Sequence, residues 1–199
     1  MPKIVDHDER RSEVLSAARR VIVRDGIDAA TTRAIAKEAG YSNGVLAHYF
    51  ADKDEILLSA LRQSHERIRS RLARRVRGVS GVAALREVLL DNLPLDAERT
   101  QETRLEVSFW SRSLASEHLA EVQRAEAEEL RAAVRSLLGE AQAAGEIASG
   151  ENLDDVTEHL LALVDGLSLH LLLYPGRLTR VDLERLMLTA LDRLVTGRG

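Results

Sequence analysis

Apolar residues recur along this chain at intervals of three and four, the spacing that places them on one face of a helix. Val14, Ala17, Ala18, Val21 and Ile22 form such a stripe and predict a first helix from about Asp8 to Asp25. Asp6 or Asp8 suits its N-cap, and Gly26 suits a left-handed residue just past its end. A second, short helix fits Thr32–Ala39. The Thr31 hydroxyl can accept from a free N–H of its first turn, and Gly40 stops it. Ser42 caps a third helix that runs to about Tyr49. Asp52 and Glu55, three residues apart, have the form of a capping box for a fourth. That helix extends to about Arg77, where Gly78 and Gly81 end it. Five more helices follow, at about 81–93, 96–113, 116–145, 153–174 and 181–196. Their breaks fall at Leu93-Pro94, near Ala115-Ser116, from Ala144-Gly145 to Gly150, and at Tyr174-Pro175-Gly176. No strand of alternating pattern and no internal repeat interrupts the series, so the expected fold class is all-α with about nine helices.

Composition agrees with the pattern. Glycine and proline together are 15 of 199 residues, and aromatics only 3%. Such a chain favours helices over sheets. With no cysteine, disulfide frameworks, thiolate nucleophiles and Cys-based zinc sites are excluded. No uninterrupted apolar run approaches the roughly 20 residues of a membrane span, and no signal peptide opens the chain. The expectation is a cytoplasmic protein with no membrane partner.

Charge changes the picture more. The net charge of −4 argues weakly against a nucleic-acid partner. It averages two unlike parts: residues 1–77 carry a net +5 and residues 78–199 a net −9. This asymmetry suggests two functional parts. Its plainest other reading is solvated surface. Residues 1–51 alone are only +1, so most of the basic excess lies in 52–77. There Arg67, Arg71, Arg74 and Arg75 share an arc of the fourth helix and read as a solvated face or as salt-bridge partners of the acidic half.

Two short helices joined at a glycine suggest a helix-turn-helix. Its packing needs are met in order. Ala36 is small at the helix contact, Gly40 tolerates the turn, and Leu46 and Ile35 supply the core. The stretch Thr31-Thr32-Arg33-Ala34-Ile35-Ala36-Lys37-Glu38-Ala39-Gly40-Tyr41-Ser42-Asn43-Gly44-Val45-Leu46-Ala47-His48-Tyr49-Phe50, followed by Asp52-Lys53-Asp54-Glu55-Ile56-Leu57-Leu58, resembles the DNA-binding domain of the TetR family of bacterial transcriptional regulators. The likeness covers about residues 10–60 and is closest to the BetI-like branch. Leu163-Val164-Asp165-Gly166-Leu167 resembles the family's dimerisation helix.

The resemblance implies a helix-turn-helix domain over 1–51 and an effector-binding and dimerisation domain over 52–199, with 52–77 as the connecting helix. It implies a double-stranded DNA operator, a small-molecule effector and a homodimer as partners, with no cofactor, no metal and no catalysis. The third helix would enter the major groove, the groove with room for a helix and a distinct pattern for each base pair. Asn43, Gly44 and Val45 match positions that face bases, and Arg33 matches an arginine that reaches a base. Thr31, Thr32, Ser42, Tyr49 and Lys53 match phosphate contacts, which position the protein without reading sequence. Ala47 stands where the family usually has tyrosine, and His48 is the candidate to replace that contact. Phe50 reads as a core plug. For the effector pocket, enclosed in the family by its middle helices, the candidates are His65, Phe109, Trp110, His159 and His170, in a largely apolar setting. For the dimer they are Leu160, Val164, Gly166, Leu167 and Leu171 on one helix, and Leu183, Leu186, Met187, Ala190 and Leu194 on the next. Other readings of a helical chain are a bundle enzyme and an adaptor whose helix-turn-helix is only structural. The enzyme would need a nucleophile–base pair or paired Glu-x-x-His motifs, and no Glu-x-x-His occurs.

Overall fold

A computed structural model of the chain describes residues 7–196. Among them the elements are helices and no strand: α1 (His7–Asp25), α2 (Thr32–Ala39), α3 (Asn43–Leu46), α4 (Lys53–Arg75), α5 (Gly81–Asp91), α6 (Ala97–Ser113), α7 (Glu117–Ala143), α8 (Leu153–Leu173) and α9 (Arg180–Thr196). Eight of the nine match the pattern of apolar positions to within about two residues at each end. The proposed Asp6 cap lies outside the described residues.

The caps explain why the short helices stand where they do. Thr31 Oγ1 accepts from the Ala34 N–H at 3.1 Å, and Gly40 ends α2 with φ at 76°. Ser42 Oγ accepts from the Val45 N–H at 3.4 Å. Asp52 Oδ1 accepts from the Glu55 N–H at 2.8 Å, while Glu55 Oε2 reaches back to the Ala51 N–H at 2.7 Å. At the far end, Asp182 accepts from the Thr179 hydroxyl and N–H, which with Arg185 hold its carboxyl down at about 2.

The exception is α3, expected to run to Tyr49. It stops at Leu46 because the next bonds tighten, His48 N–H to Val45 O at 3.1 Å and Tyr49 N–H to Leu46 O at 2.9 Å. These are three-residue closures, a tighter winding that rarely propagates.

The chain divides into two compact units. The first is Met1–Arg67 with Arg104–Val122, the second Ile68–Thr103 with Gln123–Gly199. This division differs from a cut at residue 51, because the first turns of α4 pack with the helix-turn-helix. The core of the first unit joins Val14, Ala18, Val21 and Ile22 of α1 to Ile35, Leu46, Phe50, Leu57, Leu61, Leu105 and Phe109. Phe50 is 4% exposed, the core plug expected of it. The second unit's core joins Leu85, Leu89, Val134, Leu138, Leu160, Val164, Leu183 and Met187.

Two arginines of the basic arc of α4, Arg71 and Arg75, form ion pairs. In the second unit Arg71 donates to both oxygens of Asp91 at 3.0 Å and to both of Glu102 at 2.9 and 2.7 Å. Arg75 reaches Asp91 at 3.3 Å, and Arg69 reaches Glu126 at 2.6 Å.

The apolar character of α8 exceeds what its interrupted runs suggested. It is 21 residues long with a mean hydropathy of 1.4 over an 18-residue window, long and apolar enough to cross a membrane by those measures alone. Glu158 and Asp165 break the runs without lowering the average much. Only 33% of that window is buried within the chain.

Candidate nucleic-acid interface

The helix-turn-helix is assembled by ion pairs and hydrogen bonds as well as by its apolar core. Glu38 of α2 accepts from Arg20 at 2.7 Å and Arg24 at 2.9 Å, both on α1. These arginines lower the Glu38 carboxyl below its ordinary value. The Tyr41 hydroxyl, in the turn, donates to Glu13 of α1. The turn itself needs Gly40, whose positive φ would strain any side chain.

On this support, Thr31, Arg33, Ser42, Asn43, Gly44 and His48 are exposed, and Thr32, Val45, Tyr49 and Lys53 are half-buried. Ile35, Ala36, Leu46 and Phe50 lie directly behind them, all buried. Ala47 is exposed as well. Thr31 and Ser42 serve as caps, so each hydroxyl already accepts one backbone N–H. A Cβ on Gly44 would meet only Ser42 Oγ, at 3.7 Å. Nothing in the chain therefore requires glycine there; its effect is to keep that side of α3 low.

Sequence reasoning missed the side chains of α1 that brace Tyr49. The His7 ring lies against the Tyr49 ring with centroids 4.5 Å apart. Arg10 takes the Tyr49 side chain as a hydrogen-bond partner, which raises its guanidinium above the ordinary value. Arg11 donates to the Tyr49 carbonyl at 2.6 Å, to Glu55 at 3.0 Å and to Ser59 at 3.2 Å, with its guanidinium 4.3 Å from the Phe50 ring centroid. Sequence spacing carries no sign of contacts between residues so far apart.

Of the effector candidates, His65 points inward as expected and is 4% exposed. Its Nε2 lies 2.9 Å from Glu106 Oε2 of α6, a partner the sequence did not suggest. Trp110 is half-buried one turn beyond Glu106. The other three lie in different settings. Phe109 is fully buried in the core of the first unit and is a packing residue. His159 and His170 are exposed. At 100° per residue they fall roughly a third of a turn from the buried stripe of α8. His170 instead sits edge-on to Tyr174, centroids 5.2 Å apart.

Most of the dimer candidates face inward within the chain. Leu160, Val164, Leu167, Leu183 and Met187 are at most 7% exposed and belong to the chain's own core. Leu171, Leu186, Ala190 and Leu194 are partly buried against that same core. The periodicity marks the face of each helix that packs on the chain's own core. Gly166 alone is different: a Cβ there would meet nothing within 4 Å. Among the described residues no group of three or more His, Asp or Glu side chains gathers as a metal site.

Two family patterns match this chain. Residues 14–60 match bacterial regulatory proteins of the tetR family, and residues 81–196 match the C-terminal part of the BetI-type transcriptional repressors.

The chain belongs to the TetR family.

Its relatives include transcriptional regulators matched over nearly their whole length. The HTH-type transcriptional regulator PksA of Bacillus subtilis is 30% identical over 98% of this chain and 94% of its own. A transcriptional regulator from Rhodococcus sp. Rha1 superposes with a TM-score of 0.83 at 29% identity, over 94% of this chain and 96% of that one. The fold of a Saccharomonospora viridis regulator, solved in complex with choline, matches with a TM-score of 0.88 at 21% identity, over 93% and 96%. TetR-family membership makes this chain a transcriptional regulator with an N-terminal helix-turn-helix.

Proposed function

We propose that the chain is a homodimeric, ligand-responsive repressor that reads a palindromic operator through α3. The observation that carries this is the layering of the helix-turn-helix, with an exposed polar face on α2 and α3 over a fully buried apolar one. Asn43, Gly44 and Val45 face bases in the major groove, with Arg33 reaching a base from the start of α2. Thr31, Thr32, Ser42, His48, Tyr49 and Lys53 hold phosphates. A salt series of binding to the chain's own promoter region tests this. Lys53→Ala weakens binding to every duplex and reduces the slope of log affinity on log salt by about 1, whereas Arg33→Ala relaxes discrimination at one base pair. A slope near zero for the wild type would return the adaptor reading.

The surface for the second copy is the outer stripe of α8 and α9. Ala162, Gly166, Leu169 and Leu173 recur at helical spacing on α8 and are exposed or half-exposed. On α9, Val181 and Val195 are 73% and 43% exposed, with the partly buried Leu188 between them at seven-residue spacing. Apolar side chains left uncovered along one side of both helices suit an association site. Gly166→Leu adds a side chain where the chain itself has open space. The expected result, by light scattering on a sizing column, is a folded monomer; an intact dimer would reject this stripe as the interface.

The effector site is placed around Glu106, His65 and Trp110. A carboxylate with an indole one turn along suits a small organic cation, and choline is the ligand of the Saccharomonospora regulator. Trp110 is the chain's only tryptophan, so its fluorescence reports occupancy directly. Choline shifts that emission saturably in the wild type and not in Glu106→Ala; no shift at millimolar choline excludes this cation. An effector acts only through its unequal affinity for the DNA-binding and non-binding states, and Lys53 at the start of α4 moves between them.

A further inference from the structure

We propose that Arg11 is a positioning residue that joins the exit of α3 to the first two turns of α4, so that the angle at which α3 meets DNA is set by α4. The inference rests on the reading of α3 as the DNA reader. A four-residue helix has no stability of its own. Leu46 fixes its depth in the core, but depth leaves rotation free. Three bonds and one ring contact at Arg11 remove that freedom. Its Nη1 takes the Tyr49 carbonyl at 2.6 Å, and its Nη2 takes Glu55 at 3.0 Å and Ser59 at 3.2 Å. The guanidinium lies over Phe50, 4.3 Å from the ring centroid. Glu55 in turn accepts the Ala51 N–H at 2.7 Å, so the link between α3 and α4 is clamped at both ends. The Ala51 N–H, and after it Arg11, draw the Glu55 carboxyl below its ordinary range, which keeps it an acceptor.

The chemistry requires arginine. The carbonyl, the carboxylate and the hydroxyl come from two segments and are met by one planar fork, which also stacks on an aromatic face. A lysine ammonium is a point charge that cannot span them. Arg11 and Glu55 are also 33% and 37% exposed, where an ion pair adds little to stability. The consequence of losing Arg11 is therefore lost orientation more than lost fold.

The test uses the full chain and a duplex selected by the wild type from a random pool, beside a scrambled duplex of equal length. Arg11→Met and Arg11→Lys are compared with wild type for affinity to both across a salt series and for thermal midpoint. The expected result is a loss of ~10-fold or more on the selected duplex, the scale of losing hydrogen bonds to a charged group. Affinity for the scrambled duplex, the salt slope and the midpoint stay near wild type, and lysine does not rescue. Equal losses on both duplexes, with the slope smaller by about 1, would make Arg11 a phosphate contact and overturn the proposal. Unchanged affinity for the selected duplex overturns it too. Should Arg11→Met unfold, the double variant Glu55→Gln, Ser59→Ala removes the same partners with arginine in place, and it must lower the selected-to-scrambled ratio in the same way. A wild type that selects no sequence fails the DNA-reading function itself, an outcome distinct from a wild type that selects and an Arg11→Met variant that selects equally well.

Discussion

Arg71→Met destabilises the second unit by about 3 kcal/mol, the scale of breaking a buried ion pair from one side. The Asp91 side chain is fully buried and that of Glu102 is 10% exposed, with Arg71 itself at 15%. Arg71 donates to both carboxylates at 2.7–3.0 Å. Methionine fills similar space but leaves Asp91 with Arg75 alone, at 3.3 Å from a more exposed position. A buried carboxylate that loses its main partner bears most of its desolvation cost uncompensated. Urea unfolding of the full chain measures the loss. The triple variant Arg71→Met, Asp91→Leu, Glu102→Met separates pairing from packing: it should recover most of the stability, since apolar replacements of buried ion pairs are often neutral. A triple variant as unstable as the single would show that the network's value is geometric, holding α4, α5 and α6 in register.

Arg71 and Arg11 illustrate what is legible in the chain and what is not. The basic arc of α4 is visible in the sequence, with a solvated face and salt bridges as its two readings, and Arg71 and Arg75 take the second. Which acids Arg71 meets is not visible, because Asp91 and Glu102 lie 20 and 31 residues on. Arg11 is a stronger case, with partners 38 to 48 residues away that include a backbone carbonyl. Local signals fared better. Thr31, Gly40 and Ser42 placed α2 and the start of α3 correctly because capping and positive φ are decided within four residues. The end of α3 is not legible in the sequence, because the turn at 47–49 keeps helix-like spacing while its bonds shorten by one residue. The face of α8 is hard to read for a different reason. That helix is apolar nearly all round, and periodicity cannot say which stripe is inner when both are apolar. Leu160 and Val164 against Ala162 and Gly166 is a choice that only packing makes.

Leu46→Ala tests the part of the fold on which DNA reading depends. Leu46 is 1% exposed and packs in one cluster with Ile22, Ile35, Ala36 and Phe50. Truncating a buried leucine costs about 2–5 kcal/mol, the larger values where the cavity cannot collapse. The cost falls on a helix of only four residues, which has no length of its own from which to recover it. Local opening of residues 42–50 is therefore expected before global unfolding. Faster hydrogen exchange should appear at the Ala47, His48, Tyr49 and Phe50 amides, whose acceptors all lie in 43–46. If the DNA-competent form becomes the minor one, apparent affinity falls by its population, on the order of a hundredfold for 3 kcal/mol. Gly44→Ala is the matched control. Its added Cβ meets only ordinary contact, so exchange should stay at wild-type rates while affinity for the selected duplex falls. Leu46→Ala with wild-type affinity would mean that α3 is held by its flanks, Arg11 among them, rather than by the core beneath it.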